Sequence, residues 1–498
     1  MAANTRAVFT ARRRSRKVGI RSQLSVPRRL QAGFDIRDIC LTNCLSRAQT
    51  MSGFAPDAGV VMIDPSDLAA ELAEAAAPAM ARTGTPGLVI GVLVGDERRY
   101  HCAGVTSVRD PRPVTPETLF RYCSITKPIT AMAVMSAREQ GLLDLDQPVA
   151  DLVPGLPGAD GVTVRHLLDH TSGWEGEWPG DMFAFGADDD AQARLIAEFG
   201  VLRRFAPPGA AFGYCNPGYW LLGEILARLD GVPVEQALRR RVLDPLGLAD
   251  VVTGTDEAIV RPVALPHTAG PDGGQRLLPR MAFPRARFAS GGLIGSARAL
   301  LDLAADQLAE TSKVLTAGSR TLMAGTRVPA ERPGRFQGLG WAIDGEGPDV
   351  SLGHSGSFSG YVSHLQLFPR HRAAVALLAN SGAGWEARTA VHERMLERLG
   401  TGRPPAQEPI GGVDATGRAG SYAYPGCREL VLEPSDDGLL ARFVRLDGTV
   451  EPTARARPVS PEEFVLLDGP LPGDVLRFLP EVEGGIRIGL RLGARLAP

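Results

Sequence analysis

Strand-forming segments lie near both ends of residues 63–400, and a long helical stretch separates them. The apolar run LVIGVLV at 88–94 is followed by the turn Gly95-Asp96, which predicts a buried strand and a hairpin. Further strand patterns occur at 99–105, 340–343, 361–367 and 373–378, and helical patterns at 66–83, 124–305 and 384–399. This order predicts an α+β fold, with helices packed on an antiparallel sheet.

The chain beyond residue 400 differs from the preceding part in its composition and its predicted secondary structure. Residues 402–412 are rich in Gly and Pro and predict a linker. Short alternating strand patterns follow at 430–432, 439–444, 464–466, 475–479 and 486–492. They predict a small antiparallel β domain or half-barrel. The predicted organisation is an N-terminal extension (1–62), a main domain (63–400), a linker (401–412) and a β domain (413–498).

Composition excludes several classes of function. The net charge of −2 and the pI near 6.5 give no reason to expect binding to nucleic acid or an anionic membrane. No apolar run is long enough for a membrane span, which needs about 18 residues. The six cysteines are too sparse for a disulfide framework, and Cys40 and Cys44 lack a second pair of ligands for zinc. We therefore expect reduced thiols, a cytoplasmic location and no metal.

The first residues are basic, with RRRSRK at 12–17 and RR at 28–29. They lack the apolar segment of a secretory signal. The alternatives are an organelle transit peptide, a weak nucleic-acid-binding arm, a disordered tail, and a start codon placed too early, with Met51 or Met62 as the true start. The scarcity of periodic apolar residues favours a disordered extension over 1–62.

One lysine stands out in a chain whose positive charge is almost all arginine. Lysine occurs only at Lys17, Lys127 and Lys313, and Lys127 follows Ser124 by three residues in YCSITKPI. Ser124 is expected to be the N-cap of a helix, so both side chains would share a face near the helix N-terminus. The positive potential there favours neutral lysine, which can take a proton from serine, whereas arginine cannot. Lys127 is thus a candidate base for Ser124; the alternative is an exposed lysine in a first helical turn.

Two further segments offer partners for this pair. Tyr214 and Asn216 lie in a Gly- and Pro-rich loop before a predicted helix. A tyrosine near a cation can share its proton, and an amide can orient lysine and substrate; the alternative is a turn with an aromatic anchor. His354 and Gly356 lie in LGHSGS, on a predicted strand near a cleft, where Gly356 would let a substrate backbone come close. The alternative for His354 is an ordinary core or surface histidine.

Ser124-x-x-Lys127, Tyr214-x-Asn216 and His354-x-Gly356, in this order, resemble the motifs of the penicillin-recognising serine enzymes. The group of class C β-lactamases, D,D-peptidases, D-aminopeptidases and family VIII esterases is the most similar branch. Flanking stretches match as well: ETLF at 117–120, LLDHTSG at 167–173, GYWLLG at 218–223, PLGL at 245–248 and SGGL at 290–293. The resemblance covers about residues 65–395. It implies an antiparallel sheet covered by helices, with an all-helical subdomain and the site in the cleft between them.

The resemblance also implies roles for individual residues. Ser124 would be the acylated nucleophile and Lys127 its proton acceptor. Tyr214 would carry protons to or from the leaving group, and Asn216 would bind a substrate amide. The backbone N–H groups of Ser124 and Ser357 would form an oxyanion hole. The family needs no metal or cofactor.

His354 marks a departure from the β-lactamases and many D,D-peptidases. These enzymes carry a lysine at that position, which helps to bind the carboxylate of the drug or peptide. Histidine is typical of the esterase, aminopeptidase and cyclase branches. We therefore place His354 in the catalytic set and Gly356 among the substrate-binding residues, and we do not expect efficient β-lactam hydrolysis.

A narrower resemblance concerns the end of the chain. Stand-alone penicillin-binding-protein-type thioesterases, which cyclise nonribosomal peptides, pair this catalytic domain with a small lipocalin-like domain. The segment GLRLGARL at 489–496 is similar to their arginine-bearing last strand. Arg495 would hold the terminal carboxylate of a peptide; the alternative is a solvated strand face.

Three functional hypotheses follow. The first is a serine hydrolase acting on small-molecule or peptide esters, amides or D-amino-acid peptides. The second is a thioesterase that releases and cyclises a peptide held as a thioester on a carrier protein. The third is a non-catalytic sensor, which the intact Ser124, Lys127 and Tyr214 disfavour. An α/β-hydrolase is disfavoured because the chain has no Gly-x-Ser-x-Gly; in GSFSG at 356–360, Phe358 stands in the place of the serine.

Overall fold

The computed structural model describes residues 63–271, 273–399 and 408–496. The predicted N-terminal extension and most of the predicted linker lie outside these residues. In the part up to residue 399 the helices are α1 (Pro65–Thr83), α2 (Thr126–Glu139), α3 (Val149–Leu152), α4 (Val164–Leu168), α5 (Ala191–Ala197), α6 (Asn216–Asp230), α7 (Val234–Leu238), α8 (Asp244–Leu246), α9 (Thr255–Ala258), α10 (Phe288–Gly291), α11 (Ala297–Leu308), α12 (Ala317–Gly325) and α13 (Gly384–Arg398). The strands of this part are β1 (Gly87–Val94), β2 (Glu97–Gly104), β3 (Phe120–Arg121), β4 (His267–Ala269), β5 (Gln275–Leu277), β6 (Ile294–Gly295), β7 (Val328–Pro329), β8 (Arg335–Gln337), β9 (Ala342–Asp344), β10 (Ser351–Phe358), β11 (Tyr361–Phe368) and β12 (Ala373–Ala379).

Eight of these strands form one antiparallel sheet, in the order β2-β1-β12-β11-β10-β9-β8-β7. The strand β1 explains the apolar run in the sequence, because both of its faces are covered. Leu88 and Ile90 pack in one cluster with α1 and α13, whereas Val89 and Leu93 belong to the larger cluster on the other face. The predicted α+β fold, with helices on an antiparallel sheet, is confirmed.

The strand β10 carries one wall of the site because its outer edge is open. It pairs with β9 only through Ser351, Leu352 and Gly353, whereas it pairs with β11 along its whole length, from Leu352 to Phe358. An unpaired strand edge offers backbone N–H and C=O groups to an incoming ligand. The residues of the HSG motif lie on this open part.

The C-terminal strands close into an eight-stranded antiparallel barrel. They are β13 (Gly420–Ala423), β14 (Cys427–Ser435), β15 (Gly438–Arg445), β16 (Ala454–Pro458), β17 (Glu463–Leu466), β18 (Val475–Leu479), β19 (Gly485–Ile488) and β20 (Arg491–Arg495). Closure occurs between the first and last strands, where Tyr422 pairs with Arg495 and Ala423 with Ala494. The sequence pattern suggested a half-barrel because it did not identify β13 and β16, and because the single segment 486–492 contains parts of two strands and a turn. Among the helices of the described residues, none combines the length and apolarity that crossing a bilayer requires.

Candidate active site

Ser124 lies in a tight turn that the sheet holds in place. A 3₁₀ turn, Cys123–Ile125, joins β3 to α2, and Cys123 adopts the left-handed conformation with φ 50°. The carbonyl of Tyr122 accepts a hydrogen bond from Ser363 Oγ of β11 at 2.6 Å. The expectation that Ser124 caps the helix is wrong: the N-cap of α2 is Ile125, and no side chain caps it. The Ser124 hydroxyl is therefore left for Lys127.

Lys127 is buried beside the serine. Its Nζ lies 3.1 Å from Ser124 Oγ and donates a hydrogen bond to the carbonyl of Ser290 at 2.9 Å. Burial is the main cause that holds the pKa of Lys127 well below its ordinary value; Glu177 opposes this, and Arg491 and Arg287 reinforce it. Neutral lysine is thus favoured, as the sequence predicted, but by removal from water more than by the helix N-terminus.

Tyr214 faces the same pair. It lies in the loop before α6, and Lys127 Nζ lies 4.9 Å from the centroid of its ring. Burial raises the pKa of the Tyr214 phenol, and a hydrogen bond with Ser124 acts in the opposite direction. The phenol therefore keeps its proton and is hydrogen-bonded to Ser124. The structure brings all three predicted residues together.

A carboxylate that the motif pattern did not single out organises the neighbouring wall. Glu177 accepts a hydrogen bond from Asn216 Nδ2 at 2.6 Å, pairs with Arg287 at 3.0 Å and also pairs with Arg491. Burial would raise the pKa of Glu177, but the two arginines outweigh it and lower this pKa. Because one carboxylate serves two guanidinium groups, this wall keeps a surplus of positive charge.

His354 of β10 is close to Tyr214, with ring centroids 6.0 Å apart. Its Nδ1 lies 2.7 Å from the carbonyl oxygen of Ser355, which places the ring proton on Nδ1 and leaves Nε2 as an acceptor. Burial is the main cause that lowers the pKa of His354 to about 3. The imidazole is neutral and does not replace the positive charge of a lysine at this position.

Gly356 makes room for the turn Cys123–Ile125, which carries Ser124. A Cβ built on it would lie 2.6 Å from the backbone nitrogen of Ser124 and 2.7 Å from Cys123 Cβ. The sequence interpretation, in which Gly356 makes room for a substrate backbone, overlooked this contact. Ser357, by contrast, is exposed and lines the cavity.

Gly356→Ala is expected to lower activity by at least about tenfold and to destabilise the fold by about 1–3 kcal/mol, because the new methyl group overpacks fixed backbone. Gly382→Ala is the matched control, since nothing lies within 4 Å of its Cβ position. Thermal unfolding and the rate of ester hydrolysis would be measured for both variants. Wild-type activity in Gly356→Ala would contradict the close contact with Ser124.

The structure does not bring Arg495 to the site. Its guanidinium donates hydrogen bonds to the carbonyls of Ala419 and Gly417 within the barrel, and it is not among the residues that line the cavity. The arginine of β20 that reaches the cavity is Arg491, at the other end of the strand. The expectation that Arg495 lines the substrate cavity is therefore wrong.

These residues share one cavity of about 730 Å³. Ser124, Tyr214, Asn216 and His354 lie on its wall, together with Glu177 and Arg491. This volume lies in the usual range of ligand-binding pockets and is large enough for a short peptide. A serine hydroxyl beside a buried lysine of lowered pKa, on the wall of such a cavity, is the arrangement expected of a serine hydrolase or acyltransferase.

Comparison with known proteins agrees with this class. A family model described as Beta-lactamase matches residues 72–399, so the chain belongs to the β-lactamase family. Penicillin-binding protein 4 of Amycolatopsis lactamdurans is 33% identical over 366 residues, covering 68% of this chain and 94% of that protein. Esterase EstB of Burkholderia gladioli is 30% identical over 282 residues, covering 50% of this chain and 72% of that protein.

Solved structures extend the likeness to the barrel. The crystal structure of SurE superposes with a TM-score of 0.73 at 29% identity and covers 87% of this chain and 100% of that chain. The structure of SurE with D-Leu superposes with a TM-score of 0.69 at 27% identity, covering 86% and 100%. The predicted family is confirmed, and the protein is a serine hydrolase of the β-lactamase family.

Proposed function

We propose that the protein hydrolyses ester or amide bonds of peptide-like substrates through an acyl-enzyme on Ser124. The observation that carries this proposal is the distance of 3.1 Å between Ser124 Oγ and a buried Lys127 Nζ, at the wall of a cavity of about 730 Å³. A neutral amine at this distance can accept the proton as the serine attacks a carbonyl carbon.

The remaining residues suit the other steps of acyl transfer. Tyr214 would pass a proton to the leaving group, which then departs as an alcohol, thiol or amine. The backbone N–H groups of Ser124 and Ser357 would stabilise the negative oxygen of the tetrahedral intermediate. The proton on Lys127 would then pass to the Tyr214 phenolate, which returns both groups to their starting forms. In the second step water would attack the acyl carbon and give a proton to this Lys127–Tyr214 pair, and the pair would pass a proton to Ser124 Oγ as the bond to the acyl group breaks and the acid leaves.

The wall of the cavity supports a peptide substrate. The Nδ2 group of Asn216 is engaged by Glu177, so its Oδ1 is the atom that would accept the N–H of a substrate amide. The neutral His354 supports ester and amide substrates over β-lactams. The name of Esterase EstB supports esters, and the D-Leu in the SurE structure supports a D-amino-acid residue at the reacting bond.

A second candidate is the release and cyclisation of a peptide thioester carried by a carrier protein. The barrel favours it, because Arg491 of the last strand lies on the wall of the cavity beside Tyr214. In this reaction the amine of the peptide itself, in place of water, attacks the acyl carbon. The chemistry at Ser124 would be the same.

Product mass separates the two candidates. A peptidyl N-acetylcysteamine thioester and the matching methyl ester, each with a D-residue at the acyl carbon, would be incubated with the enzyme and analysed by mass spectrometry. Free acid is expected for a hydrolase, and a product lighter than the acid by one water for a cyclase. The L-epimers and a Ser124→Ala variant are the controls. Turnover by Ser124→Ala would overturn both candidates.

A further inference from the structure

His170 is a buried histidine next to the site that the chemistry above does not use. It adopts the left-handed conformation with φ 60° and is 1% exposed. Non-glycine residues adopt this conformation uncommonly, and histidine is among those that do so most often. His170 makes both backbone and side-chain contacts in this conformation.

Those contacts lie on either side of Tyr214. The carbonyl of His170 accepts a hydrogen bond from the N–H of Gly213 at 2.9 Å, and its Nδ1 accepts one from the N–H of Cys215 at 3.1 Å. The His170 ring also packs on the Tyr214 ring, with centroids 4.5 Å apart. His170 thus fixes both neighbours of the catalytic tyrosine and one face of its ring.

Residues of the barrel form hydrogen bonds with the backbone N–H and C=O of Tyr214. The N–H of Tyr214 donates a hydrogen bond to the carbonyl of Leu490 at 2.8 Å. The carbonyl of Tyr214 accepts one from Arg491 Nη1 at 2.5 Å, and the same nitrogen donates to the carbonyl of Gly176 at 2.9 Å. Two separate elements, the loop after α4 and the end of the barrel, therefore meet at one residue.

The imidazole of His170 suits a position next to a neutral lysine. Because Nδ1 accepts from Cys215, the ring proton lies on Nε2, which is buried and has no hydrogen-bond partner. Burial is the main cause that holds the pKa of His170 well below its ordinary value. The ring supports Tyr214 without adding positive charge to the site.

We propose that His170 and Arg491 are positioning residues that hold the Tyr214 phenol at Ser124 from two sides. The barrel is then part of the catalytic machinery, in addition to any role in binding substrate. This inference rests on the proposed role of Tyr214 in proton transfer. A displacement of about 1 Å at such a group can cost on the order of 100-fold in rate.

The test uses the full-length enzyme with His170→Asn, which tolerates the left-handed backbone, and Arg491→Gln. Each is expected to lower kcat for ester hydrolysis by about 10- to 100-fold and to change KM by less than about threefold.

His267→Asn is the control for the histidine, because His267 is also buried and also accepts a backbone N–H, from Val108 at 3.2 Å. Arg487→Gln is the control for the arginine, since Arg487 of the barrel also donates to a backbone carbonyl of the main domain, that of Ala330, at 2.6 Å. Both controls are expected to lower the melting temperature and to leave kcat within about threefold.

The decisive measurement repeats His170→Asn and Arg491→Gln in a Tyr214→Phe background, with an activated ester to keep rates measurable. If both residues act through the phenol, each adds less than about threefold to the loss caused by Tyr214→Phe. An equal loss in both backgrounds would overturn the positioning role. A Tyr214→Phe variant with wild-type activity would instead overturn the proposed role of Tyr214 itself, so the two failures are distinguishable.

Discussion

Ser124→Ala is expected to abolish labelling by a serine-directed fluorophosphonate and to remove all measurable hydrolysis. A serine attacks phosphorus quickly when a neighbouring base can take its proton, and Lys127 Nζ lies at hydrogen-bond distance from Ser124 Oγ and no other described hydroxyl. The adjacent Cys123 is a poor substitute, because burial raises the pKa of its thiol to about 12. Labelling would be measured by intact-protein mass and by mapping the modified peptide.

Ser357→Ala is the matched control for this experiment. Ser357 is a second hydroxyl on the wall of the same cavity, and its replacement by alanine keeps the backbone N–H of the proposed oxyanion hole. This variant should still be labelled at Ser124. Persistent labelling of Ser124→Ala at another serine would show that the nucleophile lies elsewhere.

The parts of the site that the sequence predicted are those set by local geometry or by resemblance. Ser124 and Lys127 are three residues apart, and a single helical turn is enough to bring them together. Tyr214 and His354 are far apart in the chain, and the order of motifs shared with a known family is what predicted their meeting. The sheet was predictable because runs such as 88–94 are buried on both faces.

The parts that could not be predicted depend on long-range contacts. Glu177 contacts Arg491 across 314 positions, and no local pattern specifies such a pair. The same limit explains the wrong choice of Arg495. Residues 491 and 495 point to the same face of a strand, since side chains alternate with period two, but they lie about 13 Å apart along it. Only the docking of the barrel against Tyr214 decides which arginine enters the cavity.

Gly356 shows a second reason why the sequence could not predict the whole site. A glycine in a strand indicates close approach of some other group, but the sequence does not say which. The approaching group is the turn Cys123–Ile125, in which Cys123 has a left-handed backbone conformation just before the helix begins. The prediction that Ser124 is the N-cap of the helix also failed. Ordinary capping rules do not consider a hydroxyl that is hydrogen-bonded to a lysine, as Ser124 is to Lys127.

Lys127→Arg is expected to lose activity as fully as Lys127→Ala, by about 100- to 10,000-fold, which is the usual contribution of a general base. Arginine keeps its proton at any working pH, so it cannot accept one from Ser124. The wild-type rate should fall as pH falls through the lowered pKa of Lys127, because protonation removes the base. An active Lys127→Arg variant would refute this role.

Lys127→Met separates catalysis from stability. Between the lowered pKa of the folded lysine and its unfolded value of about 10.4, the unfolded chain binds one more proton, so wild-type stability falls as pH falls, by up to about 1.4 kcal/mol per pH unit. Methionine fills similar space without this cost. We therefore expect Lys127→Met to be inactive and to gain stability relative to the wild type as pH is lowered from 9 toward the lowered pKa of Lys127. Denaturant unfolding across this range would measure the difference, and a stability gap independent of pH would show that the buried lysine is not kept neutral.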